Sequence, residues 1–292
     1  MTAGRAVFAA LAAAALAAAG RSDAQPAAAE EIAFSRAVAG ADRIEIVSAD
    51  GALAREVARS RRFDDPSWSP DGTRLAVAGP GGIEVLSADG ASLTRITTNP
   101  ADSDPAWSPD GSRIAFVRTV RGNQDLFVQA VDGSGLRRVT TARGRDQEPA
   151  WSPDGTRLAF SSRRSGNWEL YSTAAGGGPA RRLTRTPVAE GSPSWSPDGR
   201  SLAFYRRTAA GARVFVLALT GDAARRVTRG PGNDFDPSWS RDGTRLAFVG
   251  DRGAAVSVFV APAAGGPAAR VSGGPGRPAS PDWRPASRGP VR

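Results

Sequence analysis

The chain has 292 residues, 40% of them hydrophobic, a formal net charge of +9, and neither cysteine nor histidine. Disulfides, thiol nucleophiles, histidine-based triads and zincin-type metal sites are therefore excluded, and any catalysis would fall to carboxylates, Ser, Tyr or Arg. All 38 basic residues are arginine and recur along the whole sequence, so together with the abundant Ala, Gly and Pro the basic balance reads as a GC-rich compositional bias and no nucleic-acid partner is expected.

In chain order, the first element is a leader. Arg5 supplies a short positive region, Ala6 to Ala19 form an apolar run of 14 residues, and small residues follow at Ser22 and Ala24. This pattern predicts a secretory signal peptide over residues 1–24, a periplasmic or secreted product, and no transmembrane span after cleavage. A short linker, 25–31, is expected before the first strand.

The rest of the chain is a repeat. Trp68, Trp107, Trp151, Trp195, Trp239 and Trp283 open the same phrase at spacings of 39, 44, 44, 44 and 44, each with a proline two positions earlier. A period of this size marks a repeat architecture. In the copy at 150–184, "AWS" predicts an inner strand. "SPDG" predicts a tight turn, with Pro153 at its second position and Gly155 in the left-handed region. "TRLAF" predicts a second strand with Leu158 and Phe160 on one face and Ala159 on the other, "WELYS" a third, and "RRLT" a fourth with Leu183 inward. Four antiparallel strands per repeat make a propeller blade. The second-strand motif occurs at Ile32, Leu75, Ile114, Leu158, Leu202 and Leu246. The first copy lacks its tryptophan strand and the last tryptophan lacks everything after it, so the two ends should complete each other. The expectation is an all-β, six-bladed propeller over 32–285, closed by pairing of the N- and C-terminal strands, with a tail at 286–292.

The phrase P-x-W-S-P-D-G-x-x-[LI]-A-F resembles the propeller repeat of TolB-like periplasmic proteins, also found in some prolyl-oligopeptidase-type and tricorn-type proteases. The resemblance covers residues 32–285 and concerns the propeller only. It does not extend to the α/β domain that precedes the propeller in TolB, nor to the hydrolase domain of the peptidases, for which the sequence has neither a G-x-S-x-G elbow nor a histidine.

Strand order puts the segments entering the tryptophan strands on one face, here called the top, with the loops between second and third strands. Those entries carry Asp64, Asp65, Asp102, Asp104, Asp146, Glu148, Glu190, Asp234 and Asp236. The loops farther from the axis carry Arg36, Arg118, Arg121, Arg163, Arg164, Arg206, Arg207 and Arg252. An acidic centre inside a basic rim follows, with Arg121, Arg163, Arg164, Arg206 and Arg207 as candidate contacts. Trp168 joins them because the equivalent positions, Gln124 and Ala212, are not aromatic. The six repeat tryptophans are expected between blades, and the "SPDG" aspartates as turn formers.

Three functions compete. The first is a monomeric, non-catalytic module that binds a protein, peptide or cell-envelope component on the top face. The second is a carboxylate- or calcium-dependent hydrolase at the channel mouth. The third is an accessory propeller for a separate peptidase. No cofactor is expected, although the acidic mouth offers a place for a cation such as calcium.

Overall fold

The computed structural model describes residues 30–285 apart from Asp222 and Ala254; the expected signal peptide, residues 25–29 of the linker and the tail 286–292 lie outside the described residues. Strands run from Glu31 to Trp283 and form six four-stranded antiparallel sheets. Blade 1 contains the N-terminal strand, and blades 2 to 6 span 64–95, 103–138, 146–182, 190–226 and 233–270.

The turn chemistry that folds each blade is local. In "SPDG" of blade 4 the Ser152 hydroxyl donates to Asp154 (2.6 Å), which accepts the Thr156 N–H (3.0 Å), while Arg157 N–H donates to Ser152 Oγ (3.0 Å). Gly155 adopts φ +70°. The side chains thus satisfy the backbone groups that a tight turn leaves unpaired. The same seryl bond, with Ser108, holds Asp110 down at about 2.

The second strands are buried on both faces, because every blade is sandwiched between two others. Leu158, Ala159 and Phe160 are all fully buried, so the polar-to-apolar alternation expected of "TRLAF" gives way to a large-small-large pattern. Phe116–Phe127, Phe160–Tyr171, Phe204–Phe215 and Phe248–Phe259 stack within their blades at about 6 Å. Trp68, Trp107, Trp151 and Trp283 are buried, and Trp151 packs with Ala115 and Val117 of the preceding blade, as the repeat predicts.

Two strand boundaries differ from the sequence reading. The third strand of blade 4 begins at Glu169 and not Trp168, and the fourth pairs over Arg181–Arg182 alone. The fourth strand ends early because Thr184 Oγ, not a backbone carbonyl, accepts the Leu170 N–H (3.0 Å). Leu183 is consequently half-buried at the seam.

The ring closes as expected. The C-terminal strand Arg277–Trp283 pairs with the N-terminal strand Glu31–Val38, with Ile32 opposite Trp283, and Arg284 N–H donates to the Glu31 carbonyl (2.8 Å).

Candidate functional site: the acidic mouth of the channel

The inner strands surround a channel of about 800 Å³. Its top is set by one backbone feature repeated six times. The residue before the repeat proline of each blade, Asp65, Asp104, Glu148, Ser192, Asp236 and Ser280, has φ between +49° and +55°. Proline disfavours the right-handed helical region for the residue before it, and the left-handed conformation adopted here opens a bulge, seen as a register shift from Asp64 to Ser67, Ser103 to Ala106 and Gln147 to Ala150. The bulge breaks the period-two alternation. Asp102 and Asp104 are two residues apart, yet Asp104 lines the channel while Asp102 is wholly buried away from it.

Asp65, Asp104, Glu148 and Asp236, with the two serines, form a hydrogen-bonded ring. Glu148 N–H donates to Asp104 (3.2 Å), Ser192 N–H to Glu148 (2.6 Å), Ser192 Oγ to Asp236 (2.7 Å) and Ser280 Oγ to Asp65 (2.7 Å). Asp65 and Asp104 are neighbours in this ring, and each perturbs the titration of the other. Burial, and then the neighbouring Asp104 charge, push Asp65 well above the usual carboxylate range, while burial raises Asp104 and Asp236. Glu148 is pushed up to about 7, first by burial and also by Asp236 and Asp104. Tyr205, which lies edge-on to Phe235 at 5.1 Å, is raised by burial and by Glu148. The mouth is thus lopsided, with carboxylates on the side of blades 2 to 4 and an aromatic pair beside Asp236.

The remaining entry acids do something else. Asp102 pairs with Arg118 (2.6 Å), Asp146 with Arg164 (2.8 Å), Glu190 with Arg206 (2.5 Å) and Asp234 with Arg252 (3.0 Å). Each guanidinium also lies over the aromatic pair of its blade, as Arg164 does over Phe160 and Tyr171 at 5.2 and 4.9 Å. In blade 2 the acid and the arginine are lost together: Phe63 stands in the acid position and Gly79 in the arginine position. Arg36 of blade 1 pairs with Glu45 instead (3.0 Å).

The predicted acidic centre and basic rim are thereby corrected. Of the nine carboxylates, four face the channel, four are neutralised inside their blades, and Asp64, exposed at the lip, accepts from Ser35 Oγ (2.6 Å). Arg164 and Arg206 belong to the buried pairs and are not rim groups, because the aromatic platforms hold their guanidinium groups inward. Arg121, Arg163 and Arg207 do stand exposed on the top face, and Arg163 lies over the half-buried Trp168 at 5.9 Å.

One channel carboxylate escaped the sequence reading. Asp282 occupies the position between proline and tryptophan that holds Ser67, Ala106, Ala150, Ser194 and Ser238 in the other blades. It accepts Trp68 N–H (2.8 Å) and Ser238 Oγ (3.1 Å), and burial pushes it up to about 6. A lone acid among serines and alanines was the available signal. Among the described residues, no group of three or more acidic residues is arranged to hold a metal ion, and no helix is long and apolar enough to cross a membrane.

Residues 31–188 and 184–289 match the family model of the TolB beta propeller domain. The chain belongs to that family. The TolB-type propeller also superimposes on TolB from Acinetobacter baumannii, with a TM-score of 0.80 and 22% identity over 88% of this chain and 67% of that one. A protein of Agrobacterium tumefaciens assigned as TolB gives 0.71 and 23% over 83% and 89%. A puromycin-hydrolyzing peptidase of Mycobacterium tuberculosis gives 0.60 and 15% over 83% of this chain and 52% of the peptidase. At such identities these structures share the propeller fold with the TolB-type chain. No curated protein matches the sequence.

Proposed function

We propose that this TolB-type propeller is a non-catalytic binding module, exported to the periplasm or secreted, that docks a basic segment of a cell-envelope protein or peptide at the top of its channel. The observation that carries this reading is the contrast between the two sets of acids. Asp102, Asp146, Glu190 and Asp234 each have an arginine within their blade, whereas Asp65, Asp104, Glu148 and Asp236 face the channel with hydrogen-bond donors but no cation. Burial first, and then the charges of neighbouring carboxylates, hold these groups above the usual range, and an incoming ammonium or guanidinium would offset that neighbouring charge. Exposed Arg121, Arg163 and Arg207 offer outer contacts for acidic groups flanking the segment.

The chain lacks histidine and cysteine, and the channel acids sit in one shared ring with serine, not as an isolated nucleophile and base. An accessory role beside a separate peptidase would use the same mouth, and the identity of the captured partner separates the two. The test is affinity capture from envelope extract with the purified protein and with a variant changing Asp65, Asp104 and Asp236 to Asn and Glu148 to Gln. A partner retained by the wild type and lost by the folded variant is expected. Equal retention by both would sink the reading.

A further inference from the structure

Two arginine contacts recur at the seams between blades, each at three of the six, and one seam lacks both. The first contact starts from the residue opening the second strand. Arg74 lies over Trp107 of the next blade at 4.8 Å, Arg113 over Trp151 at 4.9 Å and Arg245 over Trp283 at 5.1 Å. The second starts from the outer strand and clamps the next blade's turn. Arg137 donates to the carbonyls of Ala175 and Gly176 (both 2.8 Å), Arg225 to those of Ala263 (2.8 Å) and Ala264 (2.9 Å), and Arg55 to that of Ala88 (2.7 Å).

Between blades 4 and 5 the same residue types are present but differently disposed. Arg157, equivalent to Arg113, turns away from Trp195 and donates to Ser172 Oγ (2.6 Å). Arg181, equivalent to Arg137 and Arg225, is exposed, and its side chain makes no hydrogen bond or ion pair. The turn it would clamp carries Leu219, where blades 4 and 6 have Ala175 and Ala263. The buried cluster here is small, Leu170, Phe204 and Phe215, and a cleft of about 510 Å³ opens on the face of the "SPDG" turns, opposite the acidic mouth. Its apolar wall is Trp195, Leu183 and Leu219. Trp195 is only partly buried and lines the cleft, and its indole N–H donates to the Ala150 carbonyl (3.2 Å).

Among the described groups lining this cleft, the side-chain donors left without a partner belong to Arg157 and Arg181. Asp154 and Asp198 also line it at the exposed turns, each held through Oδ1 by its own turn, by Ser152 and the Thr156 N–H and by Ser196 and the Arg200 N–H, with Oδ2 left unbonded. Arg181 is wholly free and Arg157 uses one of its five N–H groups. A cleft of this volume, with an apolar wall and convergent polar groups, has the properties of a small-molecule site.

We infer that the cleft between blades 4 and 5 is a second binding site, for a small organic anion that lays a planar ring on Trp195 and presents a carboxylate or phosphate to Arg157 and Arg181. The cleft shares Ser152, Pro153 and Trp195 with the channel wall and lies at the end opposite the acidic mouth.

The test is isothermal titration of the purified protein with 1-naphthyl phosphate and, separately, with neutral 1-naphthol. Saturable binding of the phosphate is expected. Arg157→Ala and Arg181→Ala should each weaken it by about tenfold or more, the loss typical of a charge-assisted hydrogen bond. Removing the charge from the ligand should do the same. Arg137→Ala, at the clamped seam, should leave the affinity unchanged. The Arg181 side chain makes no hydrogen bond or ion pair in the folded chain, so its variant carries the test even if Arg157→Ala disturbs the blade. The inference is overturned if the phosphate shows no saturable binding up to about 5 mM. It is equally overturned if 1-naphthol binds as tightly as the phosphate, or if Arg137→Ala costs as much affinity as Arg181→Ala.

Discussion

Replacing Glu148 with Gln should stabilise the protein, and by an amount that depends on pH. Glu148 titrates near 7 in the folded chain against an ordinary 4.5. Below 4.5 the carboxyl is neutral in both folded and unfolded chains, and the substitution should be close to silent. As pH rises from 4.5 to 7 the unfolded chain gives up its proton and the folded chain keeps it, so wild-type stability falls. Above 7 both are ionised and the deficit levels off. A difference of about 2.5 pKa units corresponds to about 3 kcal/mol. Gln can keep the local bonds: its carbonyl accepts from Ser161 and the Ser192 N–H, and its amide donates to Ser192 Oγ, which still bonds Asp236. For a domain of this size about 3 kcal/mol raises the melting temperature by roughly 6–12 °C. Thermal melts followed by circular dichroism at pH 5 and pH 8.5 should show a small gain at the lower pH and the full gain at the higher. A gain that does not change with pH, or a loss at pH 8.5, would refute the claim that a buried charge at this position opposes folding.

Arg164→Ala leaves Asp146 buried without its cation and should cost about 3–5 kcal/mol in urea unfolding, whereas Asp146→Leu combined with Arg164→Met should recover most of that, as Phe63 and Gly79 do in blade 2. Deleting residues 277–292 removes the strand that completes blade 1 and should lower the melting temperature by more than about 10 °C, since loss of a buried Trp side chain alone costs about 3–5 kcal/mol; an unchanged melt would show that the pairing is dispensable. Capture of a basic partner at the mouth should weaken between pH 8 and pH 6, because Glu148 gains a proton across that range and loses the charge that attracts it.

The fold was legible because its signals are local and repeated: proline, tryptophan and the "SPDG" turn stand at fixed offsets, and the incomplete phrases at the two ends implied their pairing. The site was legible only in composition. In "DSDP" both acids fall on one face under strict alternation, and nothing in the letters says that the residue before proline will adopt φ near +51° and send Asp104 and Asp102 in opposite directions. The buried pairs did leave a trace, because acid and arginine are absent together from blade 2. Arg157 and Arg181 could not have been singled out, since they match the repeat perfectly and differ only in what they touch.

The closure of blade 1 also bears on the order in which the molecule can be assembled. Blades 2 to 6 are each continuous in sequence and can form as soon as their own residues are available. Blade 1 must wait for the end of the chain, and bringing Trp283 to Ile32 closes a loop of about 250 residues at an entropic cost of about 5 kcal/mol. Until then the N-terminal strand offers an unpaired edge, so an interrupted chain advertises that it is unfinished. The contact between Arg284 and Glu31 shows how little would remove this dependence. Joining the two ends and opening the chain between Ser60 and Asp64 would give a permuted sequence in which every blade is contiguous, with the same contacts and no final strand to wait for.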